Sequence, residues 1–298
     1  MNKVMVTAAV VLLNGCVAVQ HQGAAVEAEL APEKTLTASE IIANAADSDW
    51  RTVDANNVLK ITLPTGAAYI ELNPQLAPLH VENIKKLARE GFYQGTNVYR
   101  FVEGFVAQGG DSSASKAIKT ASKSVPAEFY LTTPEPLAIT EVAADGYAAV
   151  TGFLNGFAVA QNSAHTQTWQ VHCNGVFAMA RNNDINSGGT EFFVTLGHAP
   201  RYLDKNISVF GRVLAGMEHF NRLQRTSSPG EAFNPITDMQ VLADIHAVDT
   251  TMFKVMKTNS LPFKQLIKAR KNRTAAWFVH SAHYIDVCAM AIPTQRVN

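Results

Sequence analysis

The sequence predicts a mainly β fold, an antiparallel barrel with two helices covering its open ends. Three observations lead there. Short apolar segments of strand length recur through the middle of the chain. The first two make a hairpin signature. Only two helical stripes interrupt the series, so the element order lacks the strand–helix–strand alternation of a parallel sheet.

The elements follow in order. Val58-Leu59-Lys60-Ile61-Thr62-Leu63 alternates and stops at Pro64-Thr65-Gly66, and Ala68-Tyr69-Ile70-Glu71-Leu72 resumes, which is a hairpin. Pro78 opens a helix with Val81, Ile84, Leu87 and Ala88 on one stripe and Gly91 beyond its end. Apolar segments follow at 98–102, 105–108, 177–180, 192–196 and 209–213. Met217, Phe220 and Leu223 mark the second helix, and residues 239–248 read as a closing strand. No internal repeat is present.

Composition excludes several classes. Hydrophobic residues make up 47% of the chain, enough for a core, so disorder throughout is excluded. Lys and Arg number 25 against 25 Asp and Glu. No excess positive charge is left over to bind a phosphate backbone, which argues against a nucleic-acid partner. Three cysteines are too few for a disulfide-stapled scaffold. No apolar run reaches the roughly 18 residues of a spanning helix.

The N-terminus has the composition of an export signal: Lys3, then an apolar run from Val4 to Leu13. It ends in Leu13-Asn14-Gly15-Cys16, which resembles the lipobox of bacterial lipoproteins, where cleavage precedes a cysteine that becomes acylated. The resemblance implies a signal peptide over 1–15 and a lipid on Cys16, whose acyl chains would anchor the protein to a membrane. No acid follows Cys16 directly, which favours the outer membrane and a periplasmic location. Residues 16–50, rich in Ala, Gln and Glu, read as a flexible tether with a short helix after Ser39. The globular domain is expected over 51–248 and an extension packed on the barrel over 249–298.

The middle of the chain resembles a known family. Gly91-Phe92-Tyr93-Gln94-Gly95-Thr96-Asn97-Val98-Tyr99-Arg100-Phe101, continuing to Gly104-Phe105-Val106-Ala107-Gln108-Gly109-Gly110-Asp111, resembles the cyclophilin signature. Phe177-Ala178-Met179-Ala180-Arg181, followed by Gly189-Thr190-Glu191-Phe192-Phe193-Val194, resembles that family's next block. Tyr202-Leu203-Asp204 through Val209-Phe210-Gly211-Arg212-Val213 and Gly216-Met217 resembles the third. The resemblance implies an eight-stranded antiparallel barrel and peptidyl-prolyl cis–trans isomerase activity.

Prolyl isomerisation needs no nucleophile, metal or cofactor. Amide resonance sets a rotation barrier of about 18–20 kcal/mol, and a catalyst must grip the proline ring and stabilise the twisted amide. The resemblance implies that Arg100 donates to the prolyl nitrogen and that Gln108 orients Arg100 and the peptide. It implies a proline pocket of Phe105, Val106, Phe193 and Leu203, with Ala180, Arg181 and Tyr202 beside the peptide. Each residue also has a structural reading: Arg100 as a surface arginine, Gln108 as a hydrogen-bond partner within the fold, Phe105 and Phe193 as barrel core. Gly109 and Gly110 permit a bend or a close backbone approach.

Departures from the family pattern are Tyr202 for a common Trp, Ile207 for a His or Tyr, Glu191 for Gln, Arg181 for Asn and Val106 for Met. Glu191 is expected to pair with Arg100 or Arg181. Residues 130–172 read as an insertion beside the active face. Together with Trp169 and His172-Cys173-Asn174-Gly175, it resembles a divergent group of exported bacterial cyclophilins. In the extension, Ser260 caps a helix with Pro262 in its first turn and Phe263, Leu266 and Ile267 on one stripe. Its far face holds Lys264, Lys268, Arg270, Lys271 and Arg273. Such a run is ordinarily a solvated face, and it also complements anionic head groups or polyanionic sugars. His280 and His283 have metal-like spacing without a completing cluster, so no metal is expected. Once Cys16 is acylated, Cys173 and Cys288 remain as free thiols or as a disulfide pinning the extension to the barrel.

The expected protein is thus an exported, lipid-anchored, monomeric prolyl isomerase acting on proline-containing segments of exported proteins. A non-catalytic peptide-binding module on the same scaffold is the principal alternative, and an adhesion or envelope lipoprotein the second.

Overall fold

The structure, a computed structural model, describes residues 36–225 and 233–297. The signal segment and Cys16 lie outside the described residues. Helix α1, Ala38–Ala43, opens on a capping box: the Thr37 hydroxyl accepts from the Glu40 N–H, and the Glu40 carboxylate accepts from the Thr37 N–H. Its Ile41 is buried. The tether expected to run to residue 50 is therefore folded from Thr37 onward, because a capped turn with one buried isoleucine has something to pack against.

The chain continues through β1 (Trp50–Thr52), β2 (Val58–Leu63), β3 (Gly66–Leu72), α2 (Pro78–Arg89), β4 (Thr96–Val102) and β5 (Val106–Gly110). The expected hairpin is β2 and β3, in register from Val58 opposite Glu71 to Leu63 opposite Gly66. α2 begins at Pro78 as predicted but has no side-chain cap of its own. The Glu128 carboxylate accepts from the N–H groups of Leu79 and His80 instead, at 3.0 and 2.9 Å. The insertion contributes β6 (Leu131–Thr132), β7 (Thr140–Ala143), β8 (Val150–Leu154), β9 (Phe157–Gln161) and β10 (Gln167–Gln170), a five-stranded antiparallel sheet of order β6-β10-β9-β8-β7. Then come β11 (Val176–Met179), β12 (Phe192–Thr195), β13 (Val209–Ala215), α3 (Met217–Asn221), β14 (Pro235–Ile236), β15 (Asp238–Val241), β16 (Met252–Met256), α4 (Leu261–Lys271) and β17 (Thr294–Val297).

The barrel sheet runs β14-β4-β5-β12-β11-β13-β3-β2-β15, all antiparallel. β14 and β15 are one extended segment interrupted at Thr237. It pairs β4 on one side and β2 on the other, and so nearly closes the sheet on itself. Counted as one strand, it makes the barrel eight-stranded. The closing strand expected over 239–248 starts earlier and stops at Val241. There a 3₁₀ turn, Leu242–Ile245, buries Leu242 against Val58, Tyr69 and Phe253.

Strand alternation sorts the side chains into two cores. Ala107, Phe177, Phe192, Val194 and Phe210 point inward, joined by Val81, Ile84 and Leu87 of α2 and Phe220 of α3. The Phe177 ring centre lies 4.9 Å from those of both Phe192 and Phe210. Val106, Ala178, Phe193 and Val209 point outward. They join a second core with Trp169 and Val171 of the insertion, Phe263 and Leu266 of α4, and Met290. Phe153 and Phe263 meet edge-to-face at 5.2 Å and join insertion to extension. β16 pairs with β1 and β17 in a three-stranded sheet. Cys173 and Cys288 form a disulfide, with a sequence separation of 115 residues.

That cross-link closes a long loop, and in the chain-entropy view such a link stabilises by up to about 4–5 kcal/mol. Reduction is expected to lower the urea midpoint clearly, and Cys173→Ala with Cys288→Ala to match the reduced protein. An unchanged midpoint on reduction would show that the link adds nothing.

Candidate active site

The outer face of the barrel carries a transverse row. Arg100 on β4 stands opposite Gln108 on β5, Gln108 opposite Phe193 on β12, and Phe193 opposite Ala178 on β11. The far end of this row, from Ala178 on, packs into the core shared with the insertion and extension. The near end, Arg100, is exposed.

One irregularity shapes the near end. Asn97 pairs with Gly110, but Arg100 pairs with Gln108, so β4 holds one residue more than β5 over the same stretch. This is a β-bulge. On a regular strand, adjacent residues face opposite ways. Here Tyr99 and Arg100 both reach Gln108. The Arg100 Nη1 donates to Gln108 Oε1 at 3.2 Å, and Gln108 Nε2 donates to the Tyr99 hydroxyl at 2.5 Å. The paired glycines of β5 make room for the bulge. A Cβ on Gly109 would lie 3.0 Å from the Asn97 carbonyl, and one on Gly110, at φ 137°, 3.0 Å from that of Thr190.

The Tyr99 hydroxyl donates in turn to the Glu191 carboxylate. Glu191 therefore pairs with Tyr99, and not with Arg100 or Arg181 as expected. β12 directs it towards β4, while the Arg181 guanidinium donates to the carbonyls of Asn206 and Asn182. Burial raises the Glu191 carboxyl above the usual range; hydrogen bonds from Tyr99 and Gln108 oppose this, and Asp111 adds to it. Burial, and then Glu191, push the Tyr99 phenol well above its ordinary value. The chain thus has one direction. Glu191, ionised, only accepts, so Tyr99 donates to it, Gln108 donates to Tyr99, and the Gln108 oxygen is left for Arg100.

Beside this chain lies an apolar patch. Val106 and Phe193 are buried, and Phe105, Ala180, Leu203 and Ile207 pack against the same cluster half-buried. The Arg100 guanidinium stands 6.0 Å from the Phe105 ring centre. Tyr202, 62% exposed, stacks on Phe105 at 6.4 Å. The structure brings Arg100, Phe105, Val106, Gln108, Ala180, Phe193, Tyr202 and Leu203 to one region. Arg181 adjoins it with its guanidinium committed to the 182 and 206 carbonyls. Among the described residues, no cluster of three or more His, Cys, Asp or Glu is placed to hold a metal ion.

The pocket wall is braced from behind by residues that sequence reading did not assign. His172 stacks on Phe193 at 6.3 Å, with its Nδ1 2.9 Å from Asp204 Oδ1. Arg201 donates through Nε to Asp204 at 2.6 Å and through Nη1 to Asp145 at 2.5 Å, and Trp169 Nε1 reaches Asp204 at 3.4 Å. Asp145, Trp169 and His172 belong to or adjoin the insertion. They hold the 3₁₀ turn Arg201–Leu203, which supplies Leu203 and Tyr202 to the site.

Known proteins show the same pattern. A family model described as "Cyclophilin type peptidyl-prolyl cis-trans isomerase/CLD" matches residues 58–246. That is more than half the chain and spans the whole barrel. This chain belongs to the cyclophilin-type peptidyl-prolyl cis–trans isomerases. A "Probable peptidyl-prolyl cis-trans isomerase" of Brucella suis is 28% identical to this cyclophilin over 199 residues, covering 65% of this chain and 85% of that protein. Peptidyl-prolyl cis-trans isomerase ppi1 of Schizosaccharomyces pombe is 27% identical over 191 residues, 63% of this chain and 99% of its own length. The crystal structure of cyclophilin AquaCyp293 from Hirschia baltica is 29% identical, with a TM-score of 0.69 over 88% of this chain and 97% of that one. That coverage is wider than the barrel alone.

Two outcomes follow for this cyclophilin. Protonating Glu191 frees Tyr99 to donate elsewhere and Gln108 to flip. The isomerase rate is expected to fall with decreasing pH through a window above the ordinary Glu value of about 4.3. In Glu191→Gln, which still accepts from Tyr99, that acid limb should vanish. Identical pH profiles would refute the role. The sign for stability is opposite: a carboxyl raised on folding costs stability as pH rises through that window. Glu191→Gln should therefore melt no lower than wild type at neutral pH.

Burial pushes the Asp204 carboxyl up, but His172 and Arg201 outweigh it, and its value is lowered. Asp204→Ala leaves the buried Arg201 with Asp145 as its one carboxylate partner and takes the buried His172 off its acceptor, and should cost roughly 3–5 kcal/mol in urea unfolding. A cost below about 1 kcal/mol would mark the cluster as incidental.

Proposed function

We propose that this cyclophilin isomerises X–Pro bonds in exported proteins while anchored to a membrane through an acylated Cys16, with Arg100 stabilising the twisted prolyl amide. The observation that carries the catalytic part is the Arg100–Gln108 hydrogen bond beside the Phe105, Val106, Phe193 and Leu203 patch. Rotation out of planarity localises a lone pair on the prolyl nitrogen and lets it accept a hydrogen bond. A guanidinium held on one side by Gln108 keeps further N–H donors for that nitrogen and for the substrate carbonyl. A donor already fixed in place loses no reorganisation energy at the moment of twisting. Each 1.36 kcal/mol removed from the barrier is about tenfold in rate. The apolar wall supplies the grip on the proline ring.

Support for export and anchoring is the lipobox-like Leu13-Asn14-Gly15-Cys16 after an apolar run, together with a disulfide, a bond that persists in oxidising compartments. Substrates in this reading are proline-bearing segments of other exported chains, and the protein works as a monomer without cofactor. The second reading, a peptide-binding module without catalysis, is favoured by Ile207 in the pocket cluster, which has no side-chain donor for the peptide.

Arg100→Ala is expected to lower the isomerisation rate of an Ala-Pro peptide roughly 100-fold or more, measured by NMR exchange, with an unchanged melting curve. An undiminished rate would remove Arg100 from the mechanism. Wild type that binds the peptide but shows no rate above background would establish the second reading.

A further inference from the structure

The extension carries a surface that the isomerase site does not use. Residues 250–285 contain seven Lys and Arg and no Asp or Glu, in a chain whose total charge is zero. α4 buries Phe263, Leu266 and Ile267, which turns Lys264 and Lys268 outward, both exposed. Among the described residues, neither lysine nor Arg273 forms an ion pair.

Beyond α4 the chain makes a loop tied back to the helix end. The Ser281 hydroxyl donates to the Lys271 carbonyl at 3.4 Å, and His283 Nδ1 lies 2.7 Å from Asn272 Oδ1. The loop presents Trp277 and Val279, 82% and 103% exposed. Trp277 packs edge-on against Phe278 at 4.9 Å, and the Arg273 guanidinium lies 5.1 Å from the Phe278 ring centre. Exposed apolar side chains in a loop fixed at its base, with Arg273 beside them and two α4 lysines that form no ion pair, match the chemistry of a lipid interface. The indole sits at head-group level, and the cations pair with anionic lipid phosphates. Charge alone would accept any polyanion. A sugar chain or a nucleic acid, however, offers Trp277 and Val279 no apolar layer to enter.

We propose that the α4 face and the 273–280 loop dock on an anionic lipid bilayer, with Trp277 and Val279 entering the head-group region and Lys264, Lys268 and Arg273 contacting lipid phosphates. This docking is separate from the acyl anchor and would fix how the anchored enzyme lies on the membrane.

The chain has its own reporter. Its other two tryptophans, Trp50 and Trp169, are buried, so iodide quenching reads Trp277. The full chain is reconstituted on phosphatidylcholine vesicles with and without phosphatidylglycerol, and the acyl anchor or leader holds it to both. Expected is loss of iodide quenching and onset of quenching by brominated lipid only on the anionic vesicles, reversed by high salt. Lys264→Ala and Lys268→Ala should each raise the phosphatidylglycerol needed for half-protection about fivefold, with the isomerase rate unchanged. Equal iodide access on both vesicles would overturn the proposal. So would protection by heparin or an oligonucleotide that matches that by anionic vesicles, which would make the face a general polyanion site.

Discussion

The site depends on a single extra residue in one strand. The bulge between Asn97 and Arg100 lets Tyr99 and Arg100 reach the same side of the sheet, and both then bind Gln108. Without it, strand alternation would send one of them into the barrel, where Phe177, Phe192 and Phe210 already fill the space. The two glycines of β5 are the counterpart, since the bulged strand and the 190–191 segment press against them. A signature that reads as a string of unrelated residues is one mechanical unit.

The second dependence runs through the insertion. It forms its own sheet, packs on the outer face of the barrel, and shares a core with α4 and the C-terminal segment. It also supplies the partners of Asp204 and Arg201, and so the bracing for Leu203 and Tyr202. The extra material therefore buttresses one wall of the site. A minimal barrel would have to hold that wall by other means.

Much of the fold was legible in the chain. The hairpin, the Pro78 helix and the Ser260-capped helix rest on local signals, namely alternation, a first-turn proline and a cap, and they stand where those signals put them. Local signals misled at 239–248, where an apolar run continues but the chain turns to bury Leu242; at 37–50 the short helix expected after Ser39 is present as α1, and the error was to read the stretch around it as a flexible tether. Both errors concern what a segment packs against, which its own composition does not record. In the site, the residues of the three family blocks gather as their order suggested. The partner of Glu191 did not follow, because opposite charge pointed to arginine and geometry offered Tyr99.

By itself the sequence determined the class of fold, the family, the residues that gather around Arg100 and the local excess of positive charge in the extension. Each of these is carried by residue type and short-range spacing. The tertiary structure decided which side chains bond, which wall the insertion supports and that Trp277 is held outward. These depend on contacts between residues far apart in the chain, such as Asp204 with His172 and Arg201 with Asp145. They depend also on a bulge that shifts side-chain direction by one position. Neither leaves a periodic trace in the sequence, because both are set by how the sheets close on each other.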